Sequence, residues 1–160
     1  MSNLFLRLAN LILPLFISLI FLDSLRYKFT NAPETQVIFG LLDNWAVTLG
    51  AAGLFAQTGL FSQYVIGTVE LVASISLLSS FLPRFQRLRA LGALFGLTVM
   101  TGAISFHLFT PLGIDPNQDG GGLFMAACMV WLSCALLLII NRKSAADLLS
   151  DLAKALRSQS

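Results

Sequence analysis

The sequence predicts an all-α integral membrane protein: a four-helix bundle with a short interfacial helix between the first two spans and a C-terminal amphipathic helix. Three observations carry this. Of 160 residues, 56% are hydrophobic and 11% charged, whereas an ordinary soluble domain carries about 25% charged residues; mean hydropathy is +0.81. Four apolar runs, at about 8–25, 60–82, 90–109 and 123–140, are each long enough to cross a bilayer core. With the N-terminus inside, Arg7, Arg84, Arg87, Arg89, Arg142, Lys143, Lys154 and Arg157 fall on the inner side and only Arg26 and Lys28 on the outer, as the positive-inside tendency favours. The expected organisation is a membrane domain over 1–143 and an inner-surface tail over 144–160, with both termini cytoplasmic.

The first run follows Arg7, as a secretion signal would. However, Asp23-Ser24-Leu25-Arg26 stands where small cleavage-site residues are needed, so it reads as an uncleaved span. Pro14 is expected to kink it, with Ser18 bonding a freed carbonyl. Beyond it, Asp23 can reach Arg26 and Tyr27 at helical spacing, and basic and aromatic residues alternate as at a membrane boundary. Asn31 and Pro33 mark a helix start, with Glu34 in its first turn. Residues 34–56 are apolar, but Asp43-Asn44 sits near the middle and Gly50 and Gly53 weaken a helix. A fifth span here would also move Arg84, Arg87 and Arg89 outside. The stretch is therefore expected to form one or two short helices in the outer interface, anchored by Trp45.

The second run places Gln63, Gly67, Glu70 and Ser74 on one face, a small-and-polar packing stripe, and Pro83 ends it. In the third, Gly92 and Gly96 form a G-x-x-x-G pair, continued by Met100, Ala103 and His107. Residues 110–122 are rich in turn formers. Asp115, Asn117 and Asp119 share spacing with part of a calcium loop, but the closing Glu is missing, so no metal is expected. The fourth run puts Ala127 and Cys134 on one face. Cys128 and Cys134 lie about 9 Å apart along that helix, too far to bridge. In the tail, Ser144-Ala145-Ala146-Asp147 reads as a capping box. Leu148, Leu149, Leu152 and Leu156 then line one side of an amphipathic helix.

A charge at mid-membrane depth costs a few kcal/mol, so it faces protein or water and has a partner. That makes Glu70 the focus, with His107, the only histidine, roughly 8 Å higher in an up–down bundle. Glu70 and His107 are the candidate catalytic pair, and histidine is the side chain that changes charge nearest neutral pH. Arg26, Lys28, Glu34 and Gln63 are the candidate ligand-binding groups. The arrangement is compatible with a polar clasp that fixes helix packing, with a quinone-headgroup or thiol-substrate pocket, or with a proton path. The inner half has no comparable polar residues, which argues against a full path. There is no phosphate-binding glycine loop, and one histidine without a Cys-x-x-Cys argues against haem or structural zinc. The inner bases face anionic lipid rather than nucleic acid. Whether the chain is an enzyme stays open.

At Arg26-Tyr27-Lys28-Phe29-Thr30-Asn31-Ala32-Pro33-Glu34-Thr35, and again at Gly67-x-x-Glu70-Leu71 and Gly102-Ala103-x-x-x-His107, the chain resembles the DoxX-like family of small bacterial membrane proteins. The resemblance covers about 11–142. It implies a four-helix protein of the bacterial inner membrane and carries over Lys28, Glu34, Glu70 and His107. It also implies an accessory role in a quinone- or thiol-linked redox system, with quinone or a membrane redox protein as partner, or else assembly of another membrane protein. A homo-oligomer is compatible with either. The chain departs from the family in its insert 40–57 and in lacking a redox cysteine pair, which argues against direct thiol exchange.

Overall fold

The computed structural model describes residues 3–157, and among them there is no strand. Six α-helices follow in order: α1 Asn3–Phe29, α2 Pro33–Thr48, α3 Gln63–Ser79, α4 Leu88–Phe109, α5 Gly122–Ile140 and α6 Arg142–Arg157, with one 3₁₀ turn at Pro83–Phe85. Three of them, α1, α4 and α5, are long and apolar enough to cross a membrane, which suggests a membrane protein. The apolar α3 has 17 residues. It is shorter than the expected 60–82 because its ends are set by polar caps. Ser62 Oγ accepts the Val65 N–H at 3.3 Å, and Ser80 Oγ turns back to the Leu77 carbonyl at 2.6 Å.

α1 packs along α3 and α5, and α4 packs along the same two helices. Between them lies an apolar core that includes Ile17 and Phe21, Ala73 and Leu77, Ala93 and Met100, and Val130 and Cys134. The G-x-x-x-G pair is used inside the chain. A Cβ at Gly92 would stand 2.8 Å from the Ala73 carbonyl oxygen and from Leu77 Cγ. One at Gly96 would stand 2.7 Å from Cys134 Sγ. The two glycines therefore let α4 close on α3 and α5.

Burial runs opposite to that of a soluble protein. Leu19 and Ile139 are each 67% exposed and Leu132 62%, while Gln63 and Glu70 are each 2% exposed. Residues 34–56 form one helix, α2, followed by turns. Phe55 donates its N–H to Asp43 Oδ1 at 3.1 Å, which folds the turns back on α2. A second cluster, Leu42, Ala46, Phe55 and Leu112, forms there. Trp45 stands edge-on to Phe106 at 6.4 Å, so it joins α2 to α4.

Three local expectations are corrected. Ser18 Oγ is buried without a hydrogen-bond partner, and so does not repair the helix at Pro14. Asn31 adopts a left-handed backbone, φ 54°, and α2 is capped at Ala32 with no side-chain bond; Pro33 supplies the preset φ instead. Ser144 lies inside α6, which starts at Arg142, so the capping box does not form. Of the expected apolar side of the tail, Leu148 is half-buried, and Leu149, Leu152 and Leu156 lie outside the described side chains.

Helix order sorts the charges. One end gathers the start of α1, the α3–α4 turn and the α5–α6 junction, where Asn141 Nδ2 donates to Asn10 Oδ1 at 2.8 Å. Arg87 meets Asp151 of α6 there at 3.9 Å. The opposite end carries α2 and the loops around 49–62 and 110–121.

Candidate polar centre

The centre forms where the last turns of α1 cross the first half of α3. Ser24 and Lys28 are four residues apart and share a face of α1. Gln63, Gly67, Glu70 and Ser74 share the facing stripe of α3, and all four are buried. The Lys28 stem runs close along α3 at Gly67: a Cβ built there would stand 3.4 Å from Lys28 Cδ, in ordinary van der Waals contact.

Lys28 Nζ reaches both carboxylate oxygens of Glu70, at 3.1 Å to Oε1 and 3.0 Å to Oε2. Ser24 Oγ donates to Oε2 at 3.3 Å, and Lys28 Nζ also donates to Ser24 Oγ. The side chains are 15% and 2% exposed for Lys28 and Glu70, so water screens this pair little. One turn outward, Gln63 Nε2 donates to the Lys28 carbonyl and to Asn31 Oδ1, each at 2.9 Å. The Lys28 carbonyl belongs to the final turn of α1, where carbonyls lack helical partners. Gln63 thus closes the helix end, and the left-handed Asn31 turns the chain toward α2. Ser74 Oγ donates to the Glu70 carbonyl at 2.8 Å.

Of the residues singled out in the sequence, Lys28, Gln63 and Glu70 come together here. His107, Arg26 and Glu34 do not. His107 is buried in the last turn of α4, with Nδ1 2.5 Å from the Gly113 carbonyl oxygen and its ring edge-on to Phe124 at 5.5 Å. Bonding a carbonyl requires Nδ1 to carry a proton. Among the described residues, no hydrogen bond or ion pair joins His107 to Glu70. Arg26 is exposed, paired with Asp23 at 3.0 Å and lying 4.8 Å over the Tyr27 ring. Glu34 is exposed in the first turn of α2.

Ser24 and Asn31 also belong to the centre, although the sequence marks Asn31 only as a helix start and gives Ser24 no role. The i, i+4 step from Lys28 back to Ser24 was the available signal. Asp119 was also passed over as a structural residue. Its Oδ1 accepts the N–H groups of Gly121 and Gly122, and its Oδ2 that of Leu123, all at 3.0 Å, so it caps α5. Among the described residues, no cluster of three or more His, Cys, Asp or Glu stands ready for a metal. Cys128 and Cys134 are both free thiols.

Beside the centre is a cleft of about 200 Å³, walled by Asn31, Gln36, Phe39, Asp43, Phe55 and Gln63 among others. Lys28, Glu70 and His107 are not part of its wall. Chemically, the pair is self-contained: the carboxylate accepts from the ammonium and the serine, and each partner is fixed by its own helix. Comparison of the chain with protein families, with curated proteins and with solved structures finds no match.

Proposed function

We propose that the chain is a DoxX-like integral protein of the bacterial inner membrane, in which α1, α3, α4 and α5 make four passes and both termini are cytoplasmic. Its role is that of a non-catalytic packing or assembly partner of another membrane protein. The observation that carries this role is the Lys28–Glu70 pair. Both carboxylate oxygens are engaged across the α1–α3 contact, which serves a clasp and leaves no poised acid. Three further features support the membrane reading: the apolar outer surface, the concentration of bases at one end, and the length of α3. Its 17 residues rise about 25 Å, at the short limit for a span. The G-x-x-x-G face is buried within the chain, so the partner docks elsewhere.

The test is purification in mild detergent from membranes of cells producing the native protein or Glu70→Gln. The proposal expects a co-purified protein partner, no bound quinone and retained partner binding in Glu70→Gln once the variant is folded. One observation favours a second reading, an accessory subunit of a quinone- or thiol-linked redox system. The cleft beside Gln63 combines two phenylalanines with side-chain amides, the mixture that fixes a flat polar headgroup. Quinone extracted with the protein and lost in Gln63→Ala would replace the first reading with this one.

A further inference from the structure

At the base-rich end, α1 and the α3–α4 turn enclose an open cavity of about 560 Å³, lined by Leu6, Arg7, Asn10, Leu11, Phe81, Gln86 and Arg89. Its two cations come from different helices. Arg7 is exposed near the start of α1, and Arg89 is half-buried in the first turn of α4. Arg89 is held in place before anything binds: its Nε donates to Ser80 Oγ at 3.3 Å and its Nη2 to the Ser80 carbonyl at 3.2 Å. Ser80 is fully buried, so this anchor is rigid. Neither Arg7 nor Arg89 has an acidic partner among the described residues. At this end it is Arg87 that pairs with Asp151, while the Arg26–Asp23 and Lys28–Glu70 pairs lie toward the other. Asn10 is committed, its Nδ2 donating to the Leu6 carbonyl at 2.9 Å and its Oδ1 accepting from Asn141; the cavity therefore presents two cations and the Gln86 amide with no counter-charge, a donor set suited to phosphate oxygens.

The walls also say what carries the phosphate. Leu11 on the rim is 48% exposed, and Leu15, one turn further into the apolar zone, is 46% exposed. Phe81 and Leu82 flank the other side at 38% and 56%. A ligand seated on the arginines would thus continue onto an uninterrupted greasy surface. From this we infer that the cavity binds the phosphodiester headgroup of an anionic phospholipid, with the acyl chains lying against α1 and the α3–α4 turn. The inference rests on the membrane reading above. It names a lipid of one leaflet, held at one place, rather than a general attraction between basic loops and lipid.

The test uses the full-length protein purified in detergent, and native mass spectrometry to read retained lipid. Phosphatidylglycerol, phosphatidylcholine and glycerol 3-phosphate are titrated onto the native chain, Arg7→Gln, Arg89→Lys and Arg84→Gln. Arg84 is exposed at the same end beside Phe85, but does not line the cavity. The expected result is selective retention of phosphatidylglycerol, weakened about fivefold by Arg7→Gln, weakened also by Arg89→Lys, and unchanged by Arg84→Gln. Arg7 is exposed near the start of α1, so Arg7→Gln removes a charge without disturbing the buried core. Equal losses in Arg7→Gln and Arg84→Gln would overturn the site in favour of diffuse surface charge. Equal binding of phosphatidylcholine would overturn the charge selection. Displacement by glycerol 3-phosphate at the same concentration as lipid would assign the cavity to a soluble phosphate compound instead. A protein that leaves the membrane fraction without detergent would defeat the membrane reading itself, whereas a membrane-embedded protein that retains no phosphatidylglycerol defeats this inference alone.

Discussion

Glu70 offers both of its oxygens to groups on α1, and this exchange sets what its removal should do. Breaking a buried pair strands the remaining charge and costs about 3–5 kcal/mol, while replacing both partners with apolar groups is often neutral. Glu70→Gln should therefore lower the unfolding midpoint strongly. The double variant Lys28→Met with Glu70→Leu should recover most of the loss. Circular dichroism melts in detergent check this, and a Glu70→Gln melt matching the native one would sink the clasp. The sequence marked Glu70 because a charge deep in an apolar run needs a partner. It put His107 first, as the other half of a pair with Glu70, and Arg26 and Lys28 behind it as ligand-binding groups, whereas the partner is Lys28. The choice depends on how α1 is rotated against α3, which brings the Lys28 stem alongside Gly67 and is not written in the hydropathy of either helix. His107 shows the same gap. Its position near the outer end and its burial follow from the helical face, but its bond to Gly113 comes from the path of a loop with no periodicity to read.

At the scale of elements, two contacts make opposite demands on glycine and cap. A Cβ at Gly92 would press on the Ala73 backbone oxygen, and backbone does not move aside cheaply. Gly92→Ala should destabilise by about 1–3 kcal/mol. Gly40, inside α2 with nothing within 4 Å of a built Cβ, provides the contrast: Gly40→Ala should be neutral or stabilising by up to about 1 kcal/mol. Equal melts for the two variants would mean that α4 does not close on α3 at Gly92. At the start of α5, slight desolvation pushes the Asp119 carboxyl up, but the Leu123 N–H, the interaction with Asp115 and the N–H groups of Gly122 and Gly121 outweigh it. The carboxyl is held below the usual carboxylate range. A lowered folded pKa means that this stabilisation is present above the ordinary carboxylate pKa of about 4 and is lost as pH falls through the lowered folded value. Asp119→Ala should therefore cost about 1 kcal/mol at pH 7, and the gap from the native chain should close under acid. A gap that stays constant down to pH 3 would show that charge plays no part in the cap. The apolar runs made α4 and α5 legible within two residues and fell short of α1 by about one turn at each end, where charged and polar residues continue the helix. They overran α3 at both ends because Ser62 and Ser80 stop the helix by side-chain bonding, which hydropathy does not register.

For the molecule as a whole, the helix order turns a small net charge of +2 into a strong polarity. Eight bases and only Asp147 and Asp151 belong to the end with the α3–α4 turn, while Arg26 and Lys28 face six acids toward the other. Such an arrangement resists inversion in a bilayer, and it makes the crossing of α3 decisive. If α3 crosses, the exposed Gln57 before it and the exposed Gln86 after it lie on opposite sides of the membrane. If α3 lies in the interface, they lie on the same side. With Cys128 and Cys134 replaced by alanine, single variants Gln57→Cys and Gln86→Cys can be treated in intact spheroplasts with a membrane-impermeant maleimide. Gln57→Cys should label at once and Gln86→Cys only after permeabilisation. The difference should be all-or-none, because a maleimide that cannot cross the lipid has no slow route to the far side. Labelling of both cysteines in intact spheroplasts would remove the fourth pass. It would also place the Lys28–Glu70 pair at the membrane surface, where water screens such a pair and an ion pair contributes at most about 1 kcal/mol.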